Sequence, residues 1–245
     1  MNDLALPVNF EQQIVNGIMR GEQNYLQMCL RERPKLIVSD GLSWSRSNYI
    51  DTFVGKETED YPDVSYKKAK AGHTWGYLQF VYNQADDHKS LIFIKNIRTI
   101  STQFNGSFTN ISEYLNDYAK INNKLVNEGK LKGKGVGKPF QMELLPNVSE
   151  VATEDVDRFY IVTYNHDENG LLSEITLTMP NQQTNKLFQV ENLSNLMDNS
   201  PIEFTTNELE IAAETYSDTP DSVYGSQKYG FEIPAAQTKT SENKN

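Results

Sequence analysis

The spacing of apolar residues changes along this chain, and that change constrains the fold more than any other feature. Phe10, Ile14 and Ile18 recur every four residues, which places them on one face of a helix. From Trp75 onward the pattern becomes that of strands, because residues 75–82 are rich in aromatic and β-branched side chains. Helical and strand-forming segments both occur, so the sequence predicts an α+β fold.

The N-terminal quarter is predicted to form short helices. Asn9 is placed to cap the first helix, and Gly21 is expected to break it. A second helix is expected to end near Pro34, because the residue before a proline avoids the helical region. A third helix is predicted over residues 49–54, with Gly55 ending it. We interpret these helices as a unit that packs on a sheet.

A first hairpin and a long helix are predicted in the middle of the chain. Residues 56–72 are polar and are interpreted as a connector. The hairpin then joins residues 75–82 to residues 91–94 through a polar turn. The helix is predicted over about residues 111–128, with Asn110 as its cap.

A second hairpin and two short helices are predicted after this helix. A strand is predicted over residues 140–145, and the hairpin joins residues 159–164 to residues 171–179 through a turn that contains Asn-Gly. The returning strand alternates, so one face is expected to be buried and the other wet. One helix is predicted around residues 190–197, and a capping box begins another at Thr205.

These elements suggest three regions. Residues 1–60 are predicted to form a helical N-terminal unit, and residues 61–216 an α+β domain of two antiparallel hairpins with an intervening helix. Residues 217–245 are polar and are predicted to be a flexible tail. Three aromatic residues of this tail are predicted to contact a partner: Tyr224, Tyr229 and Phe231.

Composition narrows the class of protein. Hydrophobic residues make up 38% of the 245, which is enough for a packed core. No stretch is long and apolar enough to span a bilayer, and the N-terminus lacks the features of a secretory signal. Cys29 is the single cysteine, so an intrachain disulfide is excluded. We therefore expect a cytoplasmic protein without a membrane partner.

The net charge of -10 disfavours broad contact with nucleic acid, because the phosphate backbone repels an acidic chain. The simplest interpretation of this charge is solubility. A protein that imitates nucleic acid is less favoured, since the 33 acidic residues are interspersed with 23 basic ones. A DNA-binding helix pair is disfavoured too, because Arg46 is the only base between Lys35 and Lys56.

A lysine- and glycine-rich loop is the exception to this acidity. Glycines let a backbone approach a ligand closely, and successive amides can bind phosphate. The loop lacks the phosphate-binding and dinucleotide-binding motifs, so a solvated connector is the simpler interpretation. The residues predicted to contact phosphate or nucleic acid are Lys130, Lys132, Lys134, Lys138, Gly133 and Gly135.

Two metal-dependent hypotheses have weaker support. His88 and His166 lie in acidic turns that would have to converge to share a metal, and the simpler interpretation is that they are hydrated turn residues. A nuclease of the restriction type would use Asp63 with Asp87 and Lys89, but these last two fall in a predicted turn. We therefore predict no metal, no cofactor and no catalytic residue.

The leading hypothesis is a non-enzymatic protein that binds a macromolecule, with a protein as the expected partner. Its specific form is an acidic inhibitor or regulator, and the abundance of Asn, Lys, Ile and Tyr is typical of A/T-rich bacteria and their phages. Two alternatives are a nuclease-type or nucleotide-processing enzyme that uses the lysine- and glycine-rich loop, and a structural or assembly protein.

Overall fold

The computed structural model describes residues 4–71, 75–84, 88–107, 112–131 and 156–217. Within these ranges six strands lie side by side in one sheet, in the same order as in the chain. With helices on both of its faces, this sheet confirms the α+β fold. The strands are β1 (Val64–Ala71), β2 (Trp75–Asn83), β3 (Lys89–Asn96), β4 (Arg158–His166), β5 (Leu172–Asn181) and β6 (Lys186–Asn192).

The two predicted hairpins are β2–β3 and β4–β5, and they join through a parallel pair. All neighbouring strands are antiparallel except β3 and β4. A parallel pair needs a long crossover, and short helices lie within it. The predicted long helix is divided here by a 3-10 turn at Lys120–Asn122. The crossover helices are α3 (Ile97–Gln103), α4 (Glu113–Ala119) and α5 (Asn123–Asn127).

The two outer strands were not predicted. β1 occupies part of the segment that was interpreted as a connector. Most of its residues are exposed, so its sequence does not show the regular apolar spacing that predicts a strand. The helix expected around residues 190–197 is wrong in its first part, because Val190 lies in β6 and only a 3-10 helix, Ser194–Asn199, follows. The predicted strand over residues 140–145 lies outside the described residues, and the domain boundaries stay predictions.

Helix α1 (Val8–Glu32) runs unbroken through Gly21, so the predicted break is wrong. The position before its first residue is Pro7, and Asn9 lies inside the helix rather than capping it. Helix α2 (Arg46–Glu57) likewise continues past Gly55. Glycine lowers helix stability by only about 1 kcal/mol, which packing against another element can outweigh.

The glycines of α1 allow close contact with α2. A Cβ added at Gly17 would lie 2.5 Å from the Cα of Val54, and one added at Gly21 would lie 2.5 Å from the Cα of Ile50. Real Cβ atoms do not approach a backbone this closely. The spacing of four residues places both glycines on one face of α1, so they mark a helix–helix contact.

Each face of the sheet carries its own apolar core. On the first face, α1 and α2 pack against Phe80, Ile92 and Val162. On the second face, the crossover helices pack against Phe93 and Phe159. We call these the helix face and the crossover face. A smaller cluster joins the second half of α1 to α6 (Thr206–Ser217).

Two finer predictions have different outcomes. The capping box of α6 is confirmed, because the Thr205 N–H donates to Glu208 Oε2 at 2.8 Å. The alternation of β5 is confirmed on its buried face. The opposite face was expected to be wet: Glu174 is exposed there, but Thr176 and Thr178 are buried, so this prediction is wrong for the two threonines.

Candidate functional site

The sequence-predicted binding residues are largely outside the described residues. This is so for Lys132, Lys134, Lys138, Gly133 and Gly135, and for the tail residues Tyr224, Tyr229 and Phe231. Lys130 is described, and its Nζ lies 3.2 Å from Glu128 Oε2 at the surface. The contact of this loop with phosphate and that of the tail with a partner therefore stay predictions.

The residues of the two metal hypotheses do not gather. Asp63 lies in the turn before β1 with φ of 62°, and His88 Nδ1 lies 3.9 Å from Asp157 Oδ2 at the surface. Lys89 begins β3, so its placement in a turn was wrong, while Asp87 is outside the described residues. In the described part of the chain, no three His, Cys, Asp or Glu residues are placed to hold a metal ion.

His166 belongs to a buried charged cluster, so its interpretation as a hydrated turn residue is wrong. Glu22 of α1 lies between two partners: Arg46 Nη2 is 3.4 Å from its Oε1, and His166 Nε2 is 3.4 Å from its Oε2. The side chains of Glu22 and His166 are each only 2% exposed. The Arg46 guanidinium also lies 4.5 Å from the centre of the Tyr25 ring.

Electrostatics keep Glu22 ionised inside this cluster. Burial alone would raise the pKa of Glu22, but the Arg46 guanidinium and, after it, the adjacent His166 imidazole outweigh it and hold the pKa below its usual value. Burial raises the pKa of the nearby Cys29 thiol, which is unfavourable for a nucleophilic thiolate. The cluster of Glu22, Arg46 and His166 connects α1, α2 and the end of β4. Because the side chains of Glu22 and His166 are buried, a substrate could not reach them.

The sequence carries one signal for this cluster. Glu22 continues the four-residue spacing of Phe10, Ile14 and Ile18, so it falls on the buried face of α1. A carboxylate on such a face needs a buried partner. Its partners could not be identified in advance, because His166 is distant in the sequence and meets Glu22 only through the fold.

Two other carboxyl groups are buried on the helix face. Burial, and then the charge of Glu191, raise the pKa of Glu11 to about 7. Burial also raises the pKa of Asp51 to about 6, although Lys95 opposes it. Asp51 Oδ2 accepts a hydrogen bond of 2.9 Å from the Leu78 N–H, at a point where β2 and β3 are no longer paired.

An exposed apolar segment lies between α1 and α2. Leu36, Ile37 and Val38 are 47%, 105% and 75% exposed, and Trp44 is 43% exposed. Short 3-10 helices, Arg33–Lys35 and Asp40–Ser45, lie on either side of the three aliphatic residues. We call Leu36, Ile37, Val38 and Trp44 the apolar segment.

A small open pocket lies on the crossover face, at the start of α3. Its volume is about 210 Å³. Threonines of β4 and β5 form its floor, and Ile97 and Leu187 contribute apolar walls. Its polar lining includes Thr163, Thr176, Thr178, Glu174 and Gln189. We call this site the sheet pocket.

Comparison with protein-family models, with curated proteins and with solved structures finds no match to this chain. Among the helices in the described ranges, none has the combination of length and apolar character that crossing a bilayer requires.

Proposed function

We propose that this protein is a non-enzymatic binding protein that recognises a protein partner through the apolar segment. The observation that carries the proposal is the full exposure of Ile37 between two other exposed aliphatic residues. Scattered exposed apolar residues are ordinary, but a contiguous group indicates an interaction site. An inhibitor or regulator is the form of binding protein that we propose.

The placement of the apolar segment supports this proposal. The Leu36 N–H donates to Arg33 O at 3.1 Å, and the Leu42 N–H donates to Ser39 O at 2.9 Å, so the backbone is held on both sides of the segment. A segment that is already ordered loses less conformational entropy when it binds. Trp44 adds a residue type that is enriched among energetically dominant interface contacts.

The chemistry of the charged groups also favours binding over catalysis. The side chains of Glu22 and His166 are each only 2% exposed, so a substrate could not reach them. The net charge of -10 would accelerate association with a basic partner surface. We therefore expect a partner with an apolar groove that accepts the side chains of Leu36, Ile37 and Val38.

The proposal is tested with paired aspartate substitutions. Ile37→Asp places a charge in the centre of the apolar segment, and Val8→Asp is the matched control because Val8 is 63% exposed at the other end of α1. In lysate of the organism that encodes the protein, we expect the wild type and Val8→Asp to form the same stoichiometric complex, and Ile37→Asp to lose it. Size-exclusion chromatography with mass spectrometry measures this.

Two results would contradict the proposal. A complex that forms equally with Ile37→Asp would place the interface elsewhere. Light scattering on the purified wild type that showed defined oligomers, dispersed by Ile37→Asp, would instead favour the structural or assembly alternative.

A further inference from the structure

The hydroxyl hydrogens of the sheet pocket are already donated to other protein groups. Thr163 Oγ1 donates to the carbonyl oxygen of Thr176 at 3.3 Å, and Thr178 Oγ1 donates to that of Ile161 at 2.7 Å. Thr176 Oγ1 donates to Glu174 Oε1 at 3.3 Å. A hydroxyl has one hydrogen and two lone pairs, so each oxygen keeps the capacity to accept. The floor of the pocket is therefore rich in acceptors.

The pocket also carries a negative charge. Glu174 is exposed, and it lines the pocket together with Gln189. The closest lysine in the strand register is Lys95, which is paired with Thr163. Its Nζ lies 4.3 Å from the centre of the Tyr77 ring on β2, so the Lys95 ammonium is directed towards β2.

The size of the pocket limits the ligand. At about 30 Å³ for each water in the liquid, a volume of about 210 Å³ holds roughly seven waters. Pockets for drug-sized ligands begin at about 300 Å³, so this one suits a ligand of a few heavy atoms or a single side chain. The apolar walls from Ile97 and Leu187 favour a short hydrocarbon stem.

We infer that the sheet pocket binds a small organic cation, namely a primary ammonium group on a short aliphatic stem. The ammonium donates three hydrogen bonds and has no acceptor, which complements the threonine oxygens and the Glu174 carboxylate. An inorganic divalent cation fits less well, because Ca²⁺ takes six to eight oxygen ligands and usually several carboxylates. This inference is independent of the apolar segment and its partner.

An NMR titration of the full chain tests the inference. The probes are butylammonium, the uncharged butanol of the same length, and butanoate with the opposite charge. We expect butylammonium to shift the backbone amides of Thr176, Thr178 and Gln189, with at least about tenfold weaker binding for butanol and none for butanoate. Shifts of equal size with butanol, or shifts that map elsewhere, would overturn the inference.

Two variants and one control define the role of the pocket residues. Glu174→Gln keeps the shape and removes the charge, and we expect it to weaken butylammonium binding about tenfold. Thr176→Val removes one acceptor while it keeps the β-branched shape, and we expect a smaller weakening. Glu168→Gln removes an exposed carboxylate in the turn between β4 and β5 and should leave binding unchanged. Unchanged affinity in Glu174→Gln would exclude the proposed site.

A second pair of probes identifies the source of the ammonium group. Butylammonium represents a free amine, and Nα-acetyl-lysine methylamide represents a lysine side chain of another protein. Tighter binding of the lysine derivative would assign the pocket to a protein side chain, and tighter binding of butylammonium would assign it to a free amine. Failure of both probes to bind would overturn the inference.

Discussion

The two faces of the sheet treat charged groups in different ways. On the helix face, α1 and α2 cover the strands closely, and Glu11, Glu22 and Asp51 are all buried there. On the crossover face, the crossover helices contact the far end of β5 through Asn122 and Pro180, and Glu174, near the start of β5, stays exposed at the sheet pocket. Where the cover is complete, an acidic group needs a buried partner or a proton. Where it is incomplete, the same kind of group remains available to a ligand.

The largest expected effect comes from breaking the cluster on the helix face. Glu22→Gln removes the carboxylate and leaves the Arg46 charge, 11% exposed, without its partner. Loss of one member of a buried ion pair costs about 3–5 kcal/mol. We expect the free energy of unfolding in urea to fall by that amount. Glu210→Gln, an exposed position on α6, is the control and should change it by less than about 0.5 kcal/mol.

A pH-dependent effect of up to about 3 kcal/mol is expected at Glu11. Its pKa is raised to about 7 in the folded protein, so the fold holds this proton more tightly than the unfolded chain does. The stability that the proton provides is complete below the unfolded pKa and is lost as the pH rises through about 7. Glu11→Gln cannot lose a proton and should therefore gain stability over the wild type as the pH rises.

The measurement for Glu11 is urea unfolding of both proteins from about pH 4 to about pH 8. Relative to Glu11→Gln, the wild type should lose up to about 3 kcal/mol across this range, because the folded pKa of about 7 lies above the 4.5 of a free Glu carboxyl. A constant difference between the two proteins would show that Glu11 titrates near its usual pKa, and the contrast between the faces would then be weaker.

A smaller effect is expected where α1 touches α2. Gly21→Ala adds a Cβ that would lie 2.5 Å from the Cα of Ile50, so the two helices must separate. Overpacking typically costs about 1–3 kcal/mol, which exceeds the gain in helix propensity. Gly41→Ala is the control, because an added Cβ there meets nothing within 4 Å. Thermal unfolding should show a lower Tm for Gly21→Ala alone.

The smallest expected effect lies on the crossover face. Glu174→Gln should change the free energy of unfolding by less than about 0.5 kcal/mol, because the carboxylate is exposed and keeps its acceptor oxygen toward Thr176. The same variant is expected to weaken ammonium binding. A large loss of stability would mean that Glu174 stabilises the fold. The acidic group on the crossover face would then not differ in its role from the buried acidic groups on the helix face.

The sequence predicted those elements whose signals are local. The helical spacing from Phe10, the strand over residues 159–164 and the capping box at Thr205 each depend on neighbouring residues, and the structure contains all three. The predicted helix break at Gly21 was wrong, because the sequence does not distinguish a glycine that ends a helix from one that allows a second helix to pack closely.

The candidate sites depended on distant contacts and were harder to predict. The sheet pocket combines three strands with the start of α3, and no local motif joins Thr163 to Gln189. The apolar segment is visible as Leu36-Ile37-Val38, but an apolar run of this kind normally predicts burial. Only the tertiary structure shows that these side chains face outward.

The parallel pairing of β3 with β4 also has a consequence for the order of folding. The antiparallel pairs on either side join strands that are close in the chain, whereas β3 meets β4 across more than sixty residues, from Asn96 to Arg158. Contacts of long sequence separation form slowly, because closing the loop between them costs entropy. We expect the two hairpins to form early and independently, and the junction between them to be the rate-limiting step of folding.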